Sequence, residues 1–492
     1  MELYDKDLLS VQEVRGLVKK AKRAQEELAK QEQGAVDKLV ASMARAGVEN
    51  GERLAKMAQE ETGFGVARDK TVKNYFASQG VYDYIKNMKT VGELGRDEEK
   101  KIRKLAVPVG VIGGLVPSTN PTSTVLYKAL ISIKAGNAIV FSPHPNAKGC
   151  ILETVKILRQ ALAQAGGMEE LISCITIPTM EATEALMKHP DISLILATGG
   201  SAMVRAAYSS GTPAIGVGPG NGPAFIEKTA DLPQAVKRIL DSKTFDNGTI
   251  CASEQSVICT EDMTEAVQGE LERQGACFLK EPERKKLGTY ILRANGTMNP
   301  AIVGKSAKDI AALAGISVPE NTRVLVARED GIGRGHPFSY EKLAPILAFY
   351  TAKDYQEVCR LSRDILLHEG AGHTFSMHTR DEQIVDYFSR RIPVSRLLVN
   401  TSASIGGIGG STNLAPALTL GCGAIGGSAT SENVSPADLY NIRYVAYGTR
   451  ELEEIRKVIP HQDWGESGGE TQRDFGSVDQ IVRKIIEKLQ AM

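Results

Sequence analysis

The chain has 492 residues, enough for two or three domains. Hydrophobic residues make up 42% and charged residues 24%, the balance of an ordinary globular protein, with no apolar run of the roughly 18 residues that a membrane span needs. The 59 Lys plus Arg cancel the 59 Asp plus Glu, so net charge gives no attraction to nucleic acid or to an anionic membrane.

The start, Met1-Glu2-Leu3-Tyr4-Asp5, is acidic and lacks the basic lead of a signal peptide. Residues 8–95 read as helices: Val11, Val14, Leu17 and Val18 recur at helical spacing, and Leu39, Leu54 and Met57 keep the habit. Charges fill the other faces, and this segment is assigned no chemistry. A solvated charge cluster at 96–101 leads into a strand over 102–111, whose Pro108 marks an edge or a bulge, and as an edge strand it is a candidate for subunit pairing. Residues 109–116 read as a buried parallel strand ending in the polar loop Pro117-Ser118-Thr119-Asn120. Ligands of open α/β sheets bind at such carboxyl ends. Asn120 offers an amide donor there, and locally it reads equally well as a turn former before Pro121.

The strand–helix rhythm continues with a helix over 123–135, a strand over 137–142 ending at Pro143-His144-Pro145, and a helix over 150–164. A strand over 172–178, a helix over 180–188 and a strand over 192–197 follow. The last runs into Thr198-Gly199-Gly200 and a helix over 202–208, a seat for an anion or pyrophosphate, although the spacing is not GxGxxG. This alternation predicts a doubly wound parallel sheet. After the glycine-rich loop 214–223, Ala224-Phe225-Ile226 opens a second α/β unit.

In that unit the turn Asp246-Asn247-Gly248 leads to Cys251, and Ser256-Val257-Ile258-Cys259 has the pattern of a buried strand. A cysteine on such a loop can attack a carbonyl while nearby N–H groups stabilise the oxyanion. A buried structural cysteine is the commoner fate of a free thiol. The seven scattered cysteines, without a CxxC pair, fit a reducing cytosol. His373 and His378 stand five apart with no carboxylate at metal spacing, so no metal site is assigned. His378 reads as a satisfied core histidine, whereas His373 follows a glycine bend and is as ready to face a site as to be buried. The glycine-rich stretch 402–427 is either a loop beside a ligand or a plain connection. Residues 461–476 read as a linker. In 477–492, Val478, Ile481, Val482, Ile485, Ile486 and Leu489 form an apolar helical stripe that needs a partner.

Taken together, five stretches resemble the aldehyde dehydrogenase superfamily, and within it the CoA-acylating branch. They are Val116–Thr122, Phe141–Pro145, Thr198–Gly200, Ser242–Gln255 and Leu414–Gly423, and the likeness covers about residues 10–450. The resemblance implies an α/β, aldehyde dehydrogenase-like fold. An NAD-binding domain would take 1–95 and 113–225, a catalytic domain 226–435, and a small β oligomerisation element 96–112 and 436–460. It implies Cys251 as nucleophile and Asn120, with the Cys251 backbone N–H, as oxyanion donors; His373 remains a candidate catalytic group. Pro117, Ser118, Ser142, Pro143, His144, Thr198, Gly199 and Gly200 would hold NAD, and Glu341 the nicotinamide ribose. CoA is the implied co-substrate, and no metal is implied.

One departure bears on the reaction. Where hydrolytic members carry a Glu that activates water, this sequence has Val217. Valine cannot take a proton, so a thioester on Cys251 would wait for a CoA thiol. The implied substrate is a two- or three-carbon aldehyde, in either direction, in a cytoplasmic homodimer or homotetramer. Pro145 stands where many NAD-specific members have an acidic residue, so preference over NADP stays open. The 477–492 helix resembles peptides that bind the shell protein of a bacterial microcompartment, with docking on its own enzyme as the alternative. A hydrolytic dehydrogenase and a non-catalytic shell-binding paralogue are the rival readings.

Overall fold

The structure, a computed structural model, describes residues 5–456 and, further on, Gln480, Val482, Arg483, Ile486 and Glu487. Two long helices come first, Lys6–Leu28 and Gln33–Thr62. The Asp5 carboxylate caps the first by accepting the N–H groups of Asp7 and Leu8, and the second ends at Gly63 in the left-handed region, φ 67°. Val14, Val18, Leu39 and Leu54 are buried as their spacing predicts. The helix Ala67–Tyr75 continues through a π turn, Phe76–Gly80, into Val81–Ile85.

The strands follow in chain order. β1 is Gly92–Asp97 and β2 Ile102–Pro108. β3 (Val111–Val116), β4 (Ala138–Pro143), β5 (Ile172–Cys174), β6 (Ile192–Ala197) and β7 (Ala214–Gly216) form a five-stranded parallel sheet in the order β5-β4-β3-β6-β7. β8 (Pro223–Ile226), β9 (Ser256–Thr260), β10 (Ala276–Phe278), β11 (Val324–Arg328), β12 (Ile346–Ala352), β13 (Gly372–His378) and β14 (Val394–Val399) form a seven-stranded parallel sheet, order β10-β11-β12-β9-β8-β13-β14. β15, Tyr440–Ala446, joins β1 and β2 in a three-stranded sheet, order β1-β2-β15. Both parallel sheets lie in one compact unit, while Arg96–Arg103 and the chain from Tyr444 onward belong to a second.

In the five-stranded sheet the chain winds outward from β3 through β4 and β5, then returns to the other side of β3 with β6. The winding therefore reverses between β3 and β6, and at such a switch point the two strand ends diverge into a crevice. β3 and β4 are buried at every position, as a sheet covered on both faces requires. In the seven-stranded sheet, alternate residues feed two separate cores. Phe225, Ile258 and Leu325 enter one, and Ala224, Val257 and Val326 the other.

Two predicted strands come out differently. The run 102–111 divides into β2 and β3 because Pro108 lacks a donor and Gly110 turns the chain at φ +125°. The run 172–178 stops at Cys174, since the N–H groups of Thr176 and Ile177 donate to the Glu13 carboxylate rather than to a strand. The predicted linker 461–476 lies outside the described residues. Most of the predicted helix 477–492 does too, its five described positions being helical, with Val482 and Ile486 about half exposed. Among the described residues, no helix is long and apolar enough to cross a membrane.

Candidate active site

The crevice between β3 and β6 opens into a cavity of about 270 Å³. Loop residues Pro117, Ser118 and Asn120 after β3 and Thr198, Gly199 and Gly200 after β6 form part of its wall. Val217, Cys251 and Glu341 line the same cavity, as do His144 and, from the glycine-rich stretch, Ile408, Leu418 and Leu420. An adjoining cleft of about 320 Å³ adds Ser142 and Pro143 and shares Pro117, His144 and Thr198–Gly200. Eleven of the twelve predicted site residues thus converge, and His373 lines neither space.

His373 lies within β13, fully buried, with Nδ1 against Thr374 Oγ1 at 2.9 Å and no hydrogen-bond partner for Nε2. Burial, then the Arg396 charge, pull its pKa down to about 3, so the ring is neutral. His378 is a core histidine as expected, but neither ring nitrogen has a hydrogen-bond partner.

Cys251 owes its position to a strained turn. Asp246, Asn247 and Gly248 all take positive φ, at 49°, 53° and 74°. The fully buried Asp246 carboxylate stabilises this path. Its Oδ1 accepts the Val66 N–H at 2.7 Å, and its Oδ2 accepts Lys70 at 3.0 Å, Lys73 at 2.5 Å and the Thr249 hydroxyl at 2.7 Å. Burial alone would raise this carboxyl, but Lys73 and Lys70 outweigh it and hold the pKa below its usual value. The turn delivers Thr249 beneath the β3 loop, where Asn120 Nδ2 donates to Thr249 O at 3.0 Å. Asn120 also precedes the helix Pro121–Lys134, so both ends of its short segment are anchored.

The electrostatics leave Cys251 in its thiol form. Burial, then the charges of Glu341 and Cys422, push its pKa up to about 12, while Arg396 and the residue's own backbone N–H pull the other way. Glu341 is itself pushed up to about 8 by burial and by Glu369, despite the Gly220 N–H that donates to its Oε1 at 2.9 Å. Among the described residues, Glu341 is the one carboxylate that lines the cavity.

The β6 end suits a dinucleotide. Thr198 Oγ1 is buried without a hydrogen-bond partner, a Cβ on Gly200 would meet open space, and the helix Ser201–Tyr208 starts immediately after. Across the cleft, the Ser142 hydroxyl lies 2.9 Å from that of Thr183. Elsewhere, among the described residues, Glu329, Asp330 and His336 bring three metal-capable groups within 4.8 Å of one another, and none of them lines the Cys251 cavity.

Sequence reading missed Lys70, Lys73 and the buried role of Asp246. The lysines sit three apart on one helical face beside the buried Asn74, a pattern that charge-rich neighbours disguise as a solvated surface.

A thiol and an amide thus lie in one cavity, beside a strand-end cleft of the kind in which doubly wound sheets hold ligands. The profile of the Aldehyde dehydrogenase family matches residues 3–327, and the chain belongs to that family. It is 47% identical to the bifunctional aldehyde-alcohol dehydrogenase AdhE of Escherichia coli (strain K12) over 442 residues, 89% of this chain and 50% of the relative. The chain therefore spans about half the length of that protein. It also resembles the crystal structure of an acetylating aldehyde dehydrogenase from Geobacillus thermoglucosidasius, with TM-score 0.90, 51% identity, and coverage of 92% of this chain and 99% of that one. A propionaldehyde dehydrogenase from Rhodopseudomonas palustris with bound CoA and an acylated cysteine matches with TM-score 0.80, 28% identity, and coverage of 88% and 97%.

Proposed function

We propose that this protein oxidises a short-chain aldehyde with NAD and passes the acyl group to CoA, reversibly, giving acyl-CoA and NADH. The observation that carries the reading is Val217 in the wall of the Cys251 cavity, in the place where a hydrolytic member presents a carboxylate. The acetylating and CoA-bound relatives support the same choice.

In this reading Cys251 Sγ, once deprotonated, adds to the aldehyde carbon and leaves a negative oxygen. Asn120 Nδ2, with the Cys251 backbone N–H, stabilises that oxygen, exchanging its present bond to Thr249 O for one to the substrate. Ser142, Pro143, His144, Thr198, Gly199, Gly200 and Glu341 would hold NAD, which when bound would supply the hydride acceptor. Loss of hydride from the adduct leaves a thioester on Cys251. With no carboxylate from the Val217 loop to activate water, the sulfur of CoA attacks the thioester carbon, the bond from that carbon to Cys251 Sγ breaks, and Cys251 takes up the proton that the CoA thiol gives up. The substrate is a two- or three-carbon aldehyde. Residues 1–95 and 113–225 serve the cofactor, 226–435 the chemistry, and the β1-β2-β15 sheet subunit pairing in a homodimer or homotetramer. The 477–492 helix docks either on its own enzyme or on a microcompartment shell protein, and a fluorescent fusion co-expressed with shell proteins separates the two.

The test is NADH formation from acetaldehyde and NAD with and without CoA, in the native protein and in Cys251→Ala. Turnover that needs both CoA and Cys251 is expected. Equal turnover without CoA would replace acylation by hydrolysis, and turnover in Cys251→Ala would remove the cysteine from the mechanism.

A further inference from the structure

We propose that Lys73 is a positioning residue that sets the amide of Asn120 with its donor toward the reacting oxygen. The proposal rests on the aldehyde dehydrogenase reading above.

A primary amide has two orientations of nearly equal shape, related by exchange of its oxygen and nitrogen. In one, Asn120 Nδ2 donates to Thr249 O and to Thr119 Oγ1 at 3.4 Å, both on residues that line the cavity; in the other it would offer a carbonyl oxygen there, which repels an oxyanion. The local sequence does not choose between them. The surroundings do, from two sides. Lys73 Nζ has three protons and accepts nothing. It donates to Asn120 Oδ1 at 2.6 Å, Thr249 Oγ1 at 2.9 Å and Asp246 Oδ2 at 2.5 Å, which uses all three. A flipped amide would turn its N–H groups onto this ammonium and leave the lysine one acceptor short. On the other side, Thr249 O accepts from Asn120 Nδ2 and would face an oxygen after the flip. A carbonyl alone gives a modest preference. An ammonium donating a charge-assisted bond gives a stronger one, and by drawing electron density to Oδ1 it makes the Nδ2 protons better donors.

Lys73 is itself immobilised. It is 2% exposed, and Asp246 ties it to the turn that carries Cys251. It does not line the cavity, so it acts through Asn120 and not on the substrate. The helix Ala67–Tyr75 contributes a second lysine, Lys70, bound to Asp246 Oδ2 and to Thr119 O, so Asp246 keeps one cation when Lys73 is removed.

The experiment compares Lys73→Met, Asn120→Ala and the double variant in the full chain, by NADH formation with acetaldehyde, NAD and CoA. Lys73→Met should lower kcat by about 10- to 100-fold, part of the loss expected for an oxyanion donor, with KM for the aldehyde changed less than about threefold. The double variant should be no slower than Asn120→Ala within about twofold, because both changes disable one device. Lys73→Arg, which keeps a charged donor, should recover part of the rate. Wild-type kcat in Lys73→Met would overturn the proposal, and so would losses that multiply in the double variant. If Lys73→Met does not fold, Lys73→Gln, which removes the charge and leaves Asp246 paired with Lys70, carries the same comparison with and without Asn120→Ala. An inactive wild-type chain would instead sink the proposed function, an outcome distinct from either result.

Discussion

The backbone N–H of Gly220 donates to Glu341 Oε1 at 2.9 Å, while the space where a side chain would leave the same glycine is filled by the backbone of Cys251. One residue thus couples the cavity's carboxylate to its nucleophile. Glu341 raises the Cys251 pKa, so Glu341→Gln should lower it and speed alkylation of Cys251 by iodoacetamide at fixed pH in the absence of cofactor. The pH profile carries the sign. Below its pKa a thiol gains thiolate about tenfold per pH unit. In the native protein Glu341 loses its own proton near about 8, and the new charge flattens that rise. Glu341→Gln should show the full slope throughout. Slower alkylation in the variant would mean that Glu341 withdraws the thiol proton.

Gly220→Ala tests the close approach itself. A Cβ there would fall 1.8 Å from the Cys251 carbonyl oxygen, a backbone atom that cannot rotate away. We expect a loss of about 1–3 kcal/mol in thermal or denaturant unfolding, as for overpacking, together with a displaced Cys251 and reduced turnover. An unchanged melting curve would show that the 217–222 loop yields.

Asn120→Ala should reduce turnover by about 10²–10³ while cofactor binding, followed by NADH fluorescence, stays near native. A fall under about tenfold would return Asn120 to a turn former before Pro121.

Val217→Glu introduces a carboxylate into the cavity wall. If water is excluded for want of a base at position 217, a place Glu341 does not fill, the variant should release free carboxylic acid at the expense of acyl-CoA, measured as the ratio of the two products. An unchanged ratio in a folded variant would assign the exclusion of water to access.

The strand–helix alternation was legible because buried parallel strands are continuous apolar runs, and the loops after β3 and β6 could be placed at their ends. Cys251, Asn120 and Glu341 came chiefly from resemblance, which carries a family's geometry without showing its cause. The cause lay in residues whose side chains give no local signal. Asp246 reads as an ordinary turn former, yet it is a buried anion holding Lys70 and Lys73. His373 shows the reverse: a histidine after a glycine bend suggested chemistry, and tertiary packing enclosed it in β13. Burial depends on elements distant in sequence, and no periodicity within one segment reveals it.

Lys73 meets Asn120 across 47 residues of chain and Asp246 across 173, while Asn120 meets Thr249 across 129. Bonds of that span form only when remote segments of the chain dock, not within one helix or one strand pair. A growing or partly folded chain carries Cys251 without an oriented amide to support its addition to an aldehyde. The thiol and the amide beside it therefore come together only when three remote segments dock.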